Sequence, residues 1–209
     1  MRITGGEFRG RVLRAPKSGV RPTQDMVRQA VFNILMGRID GSRFLDLYAG
    51  SGAVGLEALS RGAVGVTWVE RERKSLTVLR RNVAEIGGSS SAEASSFAKA
   101  TEDESEGRRN AGRVVSDEAV RFLRRRAGRE AYDVIYADPP YVDSRAGDND
   151  PLAELLEAIG EGDVLARDGV FVYESAGGRR AQAVELPEGW GELMDREYGR
   201  TRVRVFERG

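Results

Sequence analysis

The chain has 209 residues, with 33 Lys and Arg against 33 Asp and Glu, and it contains no Cys and no His. That length suits one domain with a full core. Without Cys there are no disulfides, iron–sulfur clusters, thiolate zinc sites or thiol nucleophiles; without His there is no Ser–His or Cys–His catalysis and no imidazole metal site. No metal is expected, so any chemistry must run on carboxylates, hydroxyls, backbone groups, Arg, Lys and a cofactor. The neutral total conceals a basic beginning, since Met1 to Arg43 carries nine Lys/Arg and three Asp/Glu. No apolar run nears the roughly 18–20 residues of a membrane span. The start has neither a signal-type apolar stretch nor an Arg/Ser-rich presequence, so a cytoplasmic protein is expected.

Arg2 to Arg14 reads as two short strands around Gly5-Gly6 and Gly10, a basic ribbon. In "RPTQDMVRQAVFNILMGRI" Thr23 is placed to cap a helix in which Val27, Ala30, Val31, Ile34 and Leu35 recur at helical spacing. "SRFLDLYAG" predicts a buried strand, "SGAVGLEALSRGA" the helix after it and "GVTWVER" a second strand. "RKSLTVLRRNVAEIG" predicts an amphipathic helix with Leu76, Leu79, Val83 and Ile86 on one face. A Ser-, Ala- and Glu-rich stretch at about 88–112 has little to bury and is expected to be a flexible insertion. "RVVS", "YDVIYADPPY" and "GVFVYES" predict strands, and "DEAVRFLRRRAG" and "DPLAELLEAIGEGD" predict helices between them. "LMDREYGRTRVRVFER" predicts a terminal antiparallel hairpin. Strands alternating with helices imply an α/β fold with a mostly parallel sheet covered on both faces, the hairpin being added antiparallel.

The stretch "LDLYAGSGAVGLEAL" holds Gly50, Gly52 and Gly55 in a G-x-G-x-x-G pattern between a strand and a helix. Glycines let the backbone approach a ligand, and the helix N-terminus offers free N–H groups. Glu70 ends the next strand, where a carboxylate can accept from both ribose hydroxyls of an adenosine. Asp46, inside the apolar strand, disfavours an anionic pyrophosphate but can accept from an ammonium, which points to S-adenosylmethionine; equally, it can cap the loop's own N–H groups. The loop residues Tyr48, Ala49, Gly50, Ser51 and Gly52, with Glu70 and Arg71 at the end of the next strand, form the expected cofactor site. Asp117, with Glu118 beside it, follows the third strand. There Asp117 either accepts from the adenine amine or caps the following helix.

Asp138-Pro139-Pro140-Tyr141 places an acid at the carboxyl end of an apolar strand, the rim where open α/β sheets bind ligands. Two prolines remove two N–H donors and leave acceptors, the Asp138 carboxylate and the Pro139 carbonyl, beside an aromatic ring. Two acceptors gripping an exocyclic amine turn its lone pair out of the base plane toward an activated methyl group, and Tyr141 can stack on the extruded base. Methylation of cytosine C5 needs a Cys, which is absent, so transfer to nitrogen remains.

Along nearly its whole length the chain resembles the RsmD family, the small-subunit ribosomal RNA guanine-N2 methyltransferases. The resemblance is carried by "RITGGEFRGRVL", by Arg21, Pro22, Thr23, Asp25, Val27, Arg28, Phe32 and Asn33 of "RPTQDMVRQAVFNIL", by "LDLYAGSGAVGLEALSRGA" and by "DPPY". It implies a class I, Rossmann-like methyltransferase using S-adenosylmethionine and acting on a guanine amine of 16S-type RNA, on an assembled or nearly assembled subunit. It divides the chain into a ribbon and lid helix at 1–40 and a methyltransferase domain at 41–209, with Thr23 and Asn33 near the cofactor. A monomer is expected. Arg2, Arg9, Arg11, Arg14, Lys17 and Arg21 form the expected RNA contact along the ribbon. The long insertion departs from the family pattern and leaves an organellar setting open. A DNA or other RNA amino-methyltransferase, an NAD-type oxidoreductase and a non-catalytic RNA-binding factor are the alternatives.

Overall fold

The structure is a computed structural model that describes residues 1–15, 22–87, 111–140, 151–177 and 185–209. Most of the predicted insertion, with Lys17, Arg21 and Tyr141, lies outside the described residues; Ala111 and Gly112, at the insertion's expected end, belong to a strand.

Seven strands, β1 (Arg43–Leu47), β2 (Gly65–Glu70), β3 (Ala111–Ser116), β4 (Tyr132–Ala137), β5 (Leu165–Ala176), β6 (Trp190–Tyr198) and β7 (Thr201–Arg208), form one sheet in the order β3-β2-β1-β4-β5-β7-β6. The first five are parallel. The hairpin joins as expected, with β7 antiparallel to both β5 and β6. Among the described residues the sheet is accompanied by helices α1 (Pro22–Ile34), α2 (Ala53–Ser60), α3 (Arg73–Gly87), α4 (Ala119–Arg126) and α5 (Leu152–Gly162).

Two apolar clusters cover the two faces of the sheet. Phe44, Val66, Trp68, Val134, Tyr136 and Val172 belong to the cluster that includes α1, α2 and α3 residues such as Val31, Leu56 and Leu79. Leu45, Val69, Ile135, Phe171 and Phe206 belong to the other, with Phe122 and Leu123 of α4 and Leu155 and Ile159 of α5. The alternation follows from the two-residue period of a strand, and each helix contributes its apolar stripe. Ile3, Leu13, Val27, Phe32 and Leu35 join the first cluster, so the opening segment shares its core with the sheet.

That segment is less regular than the expected pair of strands. One isolated antiparallel bridge joins Arg2 to Val12, supported by Ile3 N donating to Arg11 O at 3.0 Å and Leu13 N to Met1 O at 3.0 Å. Between them the chain turns, with Gly6 and Gly10 at φ 75° and 88°, and the ladder stops. Backbone donors there go to α2 instead: Glu7 N to Ser60 O at 2.7 Å and Phe8 N to Ser60 Oγ at 2.8 Å. Thr23, expected ahead of the lid helix, lies inside its first turn, because Pro22 has the fixed φ that suits the opening position. No helix of the described residues is long and apolar enough to cross a membrane.

Candidate active site

Strand register places four acids on one face of the sheet. Asp46 is level with Trp68 on β2 and with Tyr136 on β4, and Tyr136 is level with Val172 on β5. Glu70, Asp138 and Glu174 each stand two residues beyond one of these partners, hence on the same face as Asp46. Adjacent strands are about 4.8 Å apart, so Glu70, Asp46, Asp138 and Glu174 form a row of roughly 14 Å along the carboxyl rim. Among the described residues no cluster of acids is placed to hold a metal ion.

The glycine loop turns under this row. Tyr48, Gly50 and Gly52 take φ of 58°, 55° and 81°, and Gly52 opens α2 with no side-chain cap. Gly52 N donates to Ala49 O at 2.7 Å and Ala49 N to Val69 O at 3.1 Å, which sews the loop to β2. The three motif glycines serve different ends. A Cβ at Gly55 would stand 2.2 Å from Trp68 Nε1, so Gly55 lets α2 pack on the sheet, and one at Gly52 would stand 2.2 Å from Leu79 Cδ1, so Gly52 makes room for α3 against the loop. A Cβ at Gly50 would meet nothing closer than 3.9 Å, so that glycine faces space left for a ligand.

Glu70 is 9% exposed; it accepts from Gly50 N at 2.8 Å and from Glu72 N at 2.7 Å, and each oxygen keeps a lone pair for a ribose hydroxyl. Asp46 accepts from Gly55 N at 2.9 Å, so it satisfies a donor in the first turn of α2 and not one of the loop's own N–H groups. Burial nevertheless pushes its carboxyl up to about 8, against the Gly55 bond and with help from Asp138 and Glu70. Burial also raises Asp138. Glu174 rises through burial and then the nearby Asp138 charge, opposed by the Tyr136 hydroxyl and by Arg28. The buried acids of the rim are therefore only partly compensated, with Arg28 acting on Glu174. An anionic pyrophosphate would worsen this, whereas an ammonium and a sulfonium would relieve it. On that test the residues fit S-adenosylmethionine and not a dinucleotide.

Asp138 leaves β4 directly, and among the described residues its carboxylate accepts no hydrogen bond. Pro139 is buried behind it and Pro140 is exposed. Neither has an N–H to occupy the acid, so its lone pairs remain for a ligand.

The other expected contacts are differently engaged. Asp117 is 7% exposed and accepts from Arg121 Nε at 2.5 Å, Arg125 Nη2 at 2.6 Å and Glu118 N at 2.8 Å. The cap of α4 is Glu118, which accepts from Val120 N and Arg121 N. Arg71 and Asn33 are exposed, and no hydrogen bond ties Asn33's side chain to the loop among the described residues. Ser51 meets the rest of the fold through its carbonyl, which accepts from Asn82 Nδ2 at 2.8 Å. On the ribbon, Arg11 lies over Phe8 at 5.1 Å and donates to Ile86 O, and Arg14 pairs with Glu85 at 2.7 Å. Arg2 and Arg9 line a groove of about 300 Å³ with Met26 and Gln29 of α1.

Three residues that matter here, Glu57, Asn82 and Glu174, were not singled out in the sequence. Glu57, fully buried on α2, accepts from Thr4 N and Thr4 Oγ1 at 2.8 Å each and from Arg61 Nε at 2.9 Å. Arg28, 4% exposed, donates to Asp25 at 2.9 Å and Arg2 O at 2.6 Å and lies 3.5 Å from Glu57. The Asp25 and Arg28 of the resemblance thus fasten α1 to the opening segment and to α2. Asn82 and Glu174 complete the set. A signal existed for Glu57 and Glu174: each is an acid inside an otherwise apolar element.

Fold and site together define a class I methyltransferase that uses S-adenosylmethionine. The chain belongs to the family described as "Conserved hypothetical protein 95", whose model matches residues 1–207. Among curated proteins it is 32% identical to "Ribosomal RNA small subunit methyltransferase D" of Escherichia coli K12, covering 100% of this chain and 90% of that one. It is 28% identical to the protein of the same name from Haemophilus influenzae, over 99% and 93%. The solved structure of yhhF from Escherichia coli superposes with a TM-score of 0.77 at 30% identity, covering 100% of this chain and 97% of that one.

Proposed function

We propose that this protein methylates the exocyclic N2 amine of a guanine in small-subunit, 16S-type ribosomal RNA, acting as a monomer on an assembled or nearly assembled subunit. The observation that carries the chemistry is the Asp138 carboxylate: it stands at the end of β4 next to two residues without N–H groups and accepts no hydrogen bond among the described residues. The rRNA substrate is supported by the names of the relatives, and their bacterial origin supports a cytoplasmic setting.

In this reading Glu70 holds the ribose, the loop from Tyr48 to Gly52 lies against the methionine part, and Asp46 faces the ammonium. S-adenosylmethionine, when bound, supplies an electrophilic methyl group on a positively charged sulfur. Asp138 and the Pro139 carbonyl accept from the two N–H bonds of the amine, which turns its lone pair out of conjugation. As the nitrogen gains the methyl group it becomes acidic and loses one proton, which the Asp138 carboxylate takes. The water-poor rim strengthens both contacts. Adenine recognition falls to the segment at Asp117 and Glu118, where the two arginines on Asp117 must share it with the ligand. Arg2 and Arg9 contact phosphates, with Lys17, Arg21 and the stacking ring of Tyr141 as further contacts.

The test is Asp138→Ala. It abolishes methyl transfer to small subunits from cells lacking the protein, while calorimetry shows S-adenosylhomocysteine still bound. Mass spectrometry of RNA from those cells shows one N2-methylguanosine lost. If the variant methylates subunits normally, or no such nucleoside disappears, the assignment is wrong.

A further inference from the structure

Three acids of the rim have a use in the reaction proposed above; the fourth, Glu174, does not. It stands one strand beyond Asp138, on the side away from the cofactor loop: Ala137 pairs with Tyr173, and each acid is the next residue. It is 7% exposed, and its Oε1 accepts from the Tyr136 hydroxyl at 2.5 Å. Among the described residues Oε2 accepts no hydrogen bond. That oxygen is not among the described side-chain atoms sealed from solvent without a partner, so it stays open toward the rim, and the nearby Arg28 charge offsets only part of the carboxylate's burial. A donor arriving with the substrate would use it.

We propose that Glu174 is the specificity-determining residue of this site, accepting from the N1–H of the target guanine while Asp138 and Pro139 hold the adjacent N2 amine. The inference rests on the guanine-N2 reading and adds the atom by which the base is told apart. An ionised carboxylate only accepts. Guanine is the base whose amine stands next to a ring N–H. The amines of adenine and cytosine stand next to ring nitrogens that are themselves acceptors, so their lone pairs would face those of Glu174. A water-poor site rejects such a mismatch strongly, because a buried group is left unpaired against like charge. Tyr136 acts one step back: its hydroxyl occupies Oε1 and fixes the carboxylate so that Oε2 is the one left for the base. The positive charges of the cofactor on the same rim favour the ionised form of Glu174.

The experiment uses small subunits reconstituted with RNA carrying either guanosine or 2-aminopurine riboside at the position that loses its N2-methyl group in cells lacking the protein. 2-Aminopurine keeps the amine but has a bare acceptor at N1. Single-turnover methylation by the wild-type protein is expected to favour guanosine by about 100-fold. Glu174→Gln, whose amide can donate to N1, is expected to bring that ratio within about tenfold, mainly by accelerating 2-aminopurine, with S-adenosylhomocysteine affinity unchanged. Tyr136→Phe, which frees the carboxylate to swing, lowers the ratio without reversing it. A purely structural role for Glu174 would slow both substrates alike. Equal wild-type rates on the two substrates, or an unchanged ratio in both variants, overturn the assignment while leaving the methyltransferase reading intact. Wild-type protein inactive on both substrates overturns that reading instead.

Discussion

Asn82 holds Arg14 as a strand would. Its Oδ1 accepts from Arg14 N at 2.9 Å, and its Nδ2 donates to Arg14 O at 3.0 Å. The same Nδ2 donates to Ser51 O in the glycine loop, so one side chain, 1% exposed, ties the end of the ribbon to the cofactor site. Asn82→Ala leaves the backbone of Arg14 and the Ser51 carbonyl without these partners. The expected loss of stability is about 2–4 kcal/mol. Denaturant unfolding measures the loss, and hydrogen exchange is expected to rise around Leu13 to Ala15 and in the glycine loop together. Faster exchange in the ribbon alone would show that the link to Ser51 carries nothing.

Glu57 does the same at the other end of the ribbon. Its carboxylate is sealed among Thr4, Arg61 and Arg28. Glu57→Ala strips two guanidinium groups of a buried partner and is expected to cost about 3–5 kcal/mol. Methyl transfer should fall further than cofactor affinity, because the ribbon and α1 detach while Glu70 and the loop stay. Comparing subunit methylation with calorimetry on S-adenosylhomocysteine checks this.

Two glycines of the loop separate packing from binding. Gly55→Ala drives a methyl group into Trp68 and Val66, whose atoms lie 2.2 and 2.7 Å from the new Cβ, and overpacking costs about 1–3 kcal/mol. Gly50→Ala meets no packed neighbour; it pays only for its positive φ, about 1 kcal/mol, but fills ligand space. The expected pattern is a stability loss with modest change in affinity for Gly55→Ala, and the reverse for Gly50→Ala. Thermal melts with and without S-adenosylhomocysteine distinguish the two.

The acid row gives the cofactor-free protein a pH dependence of definite sign. Burial raises Asp138 to about 6 and Asp46 to about 8, from an ordinary 3.8. The folded form therefore keeps protons that the unfolded chain has lost. The contribution of these groups to stability is full below about pH 4 and is lost as the pH rises through about 6 and then 8. Asp138→Asn removes one step of that loss. Relative to wild type it is expected to be on the order of 1–2 kcal/mol more stable near pH 8 and no different near pH 4, while inactive. Denaturation at both pH values tests this; an equal difference at the two would rule out titration of Asp138 as the cause.

How much of this was legible in the sequence varies by the range of the interactions involved. Helix α3 and strands β1, β2 and β4 follow from local periodicity, and Asp46, Glu70 and Asp138 stood out because each is polar at the end of, or inside, an apolar strand. Glu174 has that same signature in "VFVYES", but no motif drew attention to it. Asn82 was illegible for a physical reason: its partner Arg14 lies 68 residues away, and a buried polar residue on a polar-looking helix reads as a surface residue until the fold supplies its partner. The ribbon was over-read as strands because charge and alternation do not reveal that donors at Glu7 and Phe8 go to Ser60.

The order β5-β7-β6 imposes a timetable on synthesis. Because β7 comes later in the chain than β6 yet lies between it and β5, β6 cannot join the sheet until Thr201–Arg208 has emerged, and the two dock as one hairpin. Until then the β5 edge, with Glu174 upon it, is an unpaired border open to any other extended chain. The nascent protein is thus most prone to mispairing just before that border is covered, and a chain cut between β5 and β7 would keep Glu174 but leave its strand without the hairpin that closes the sheet.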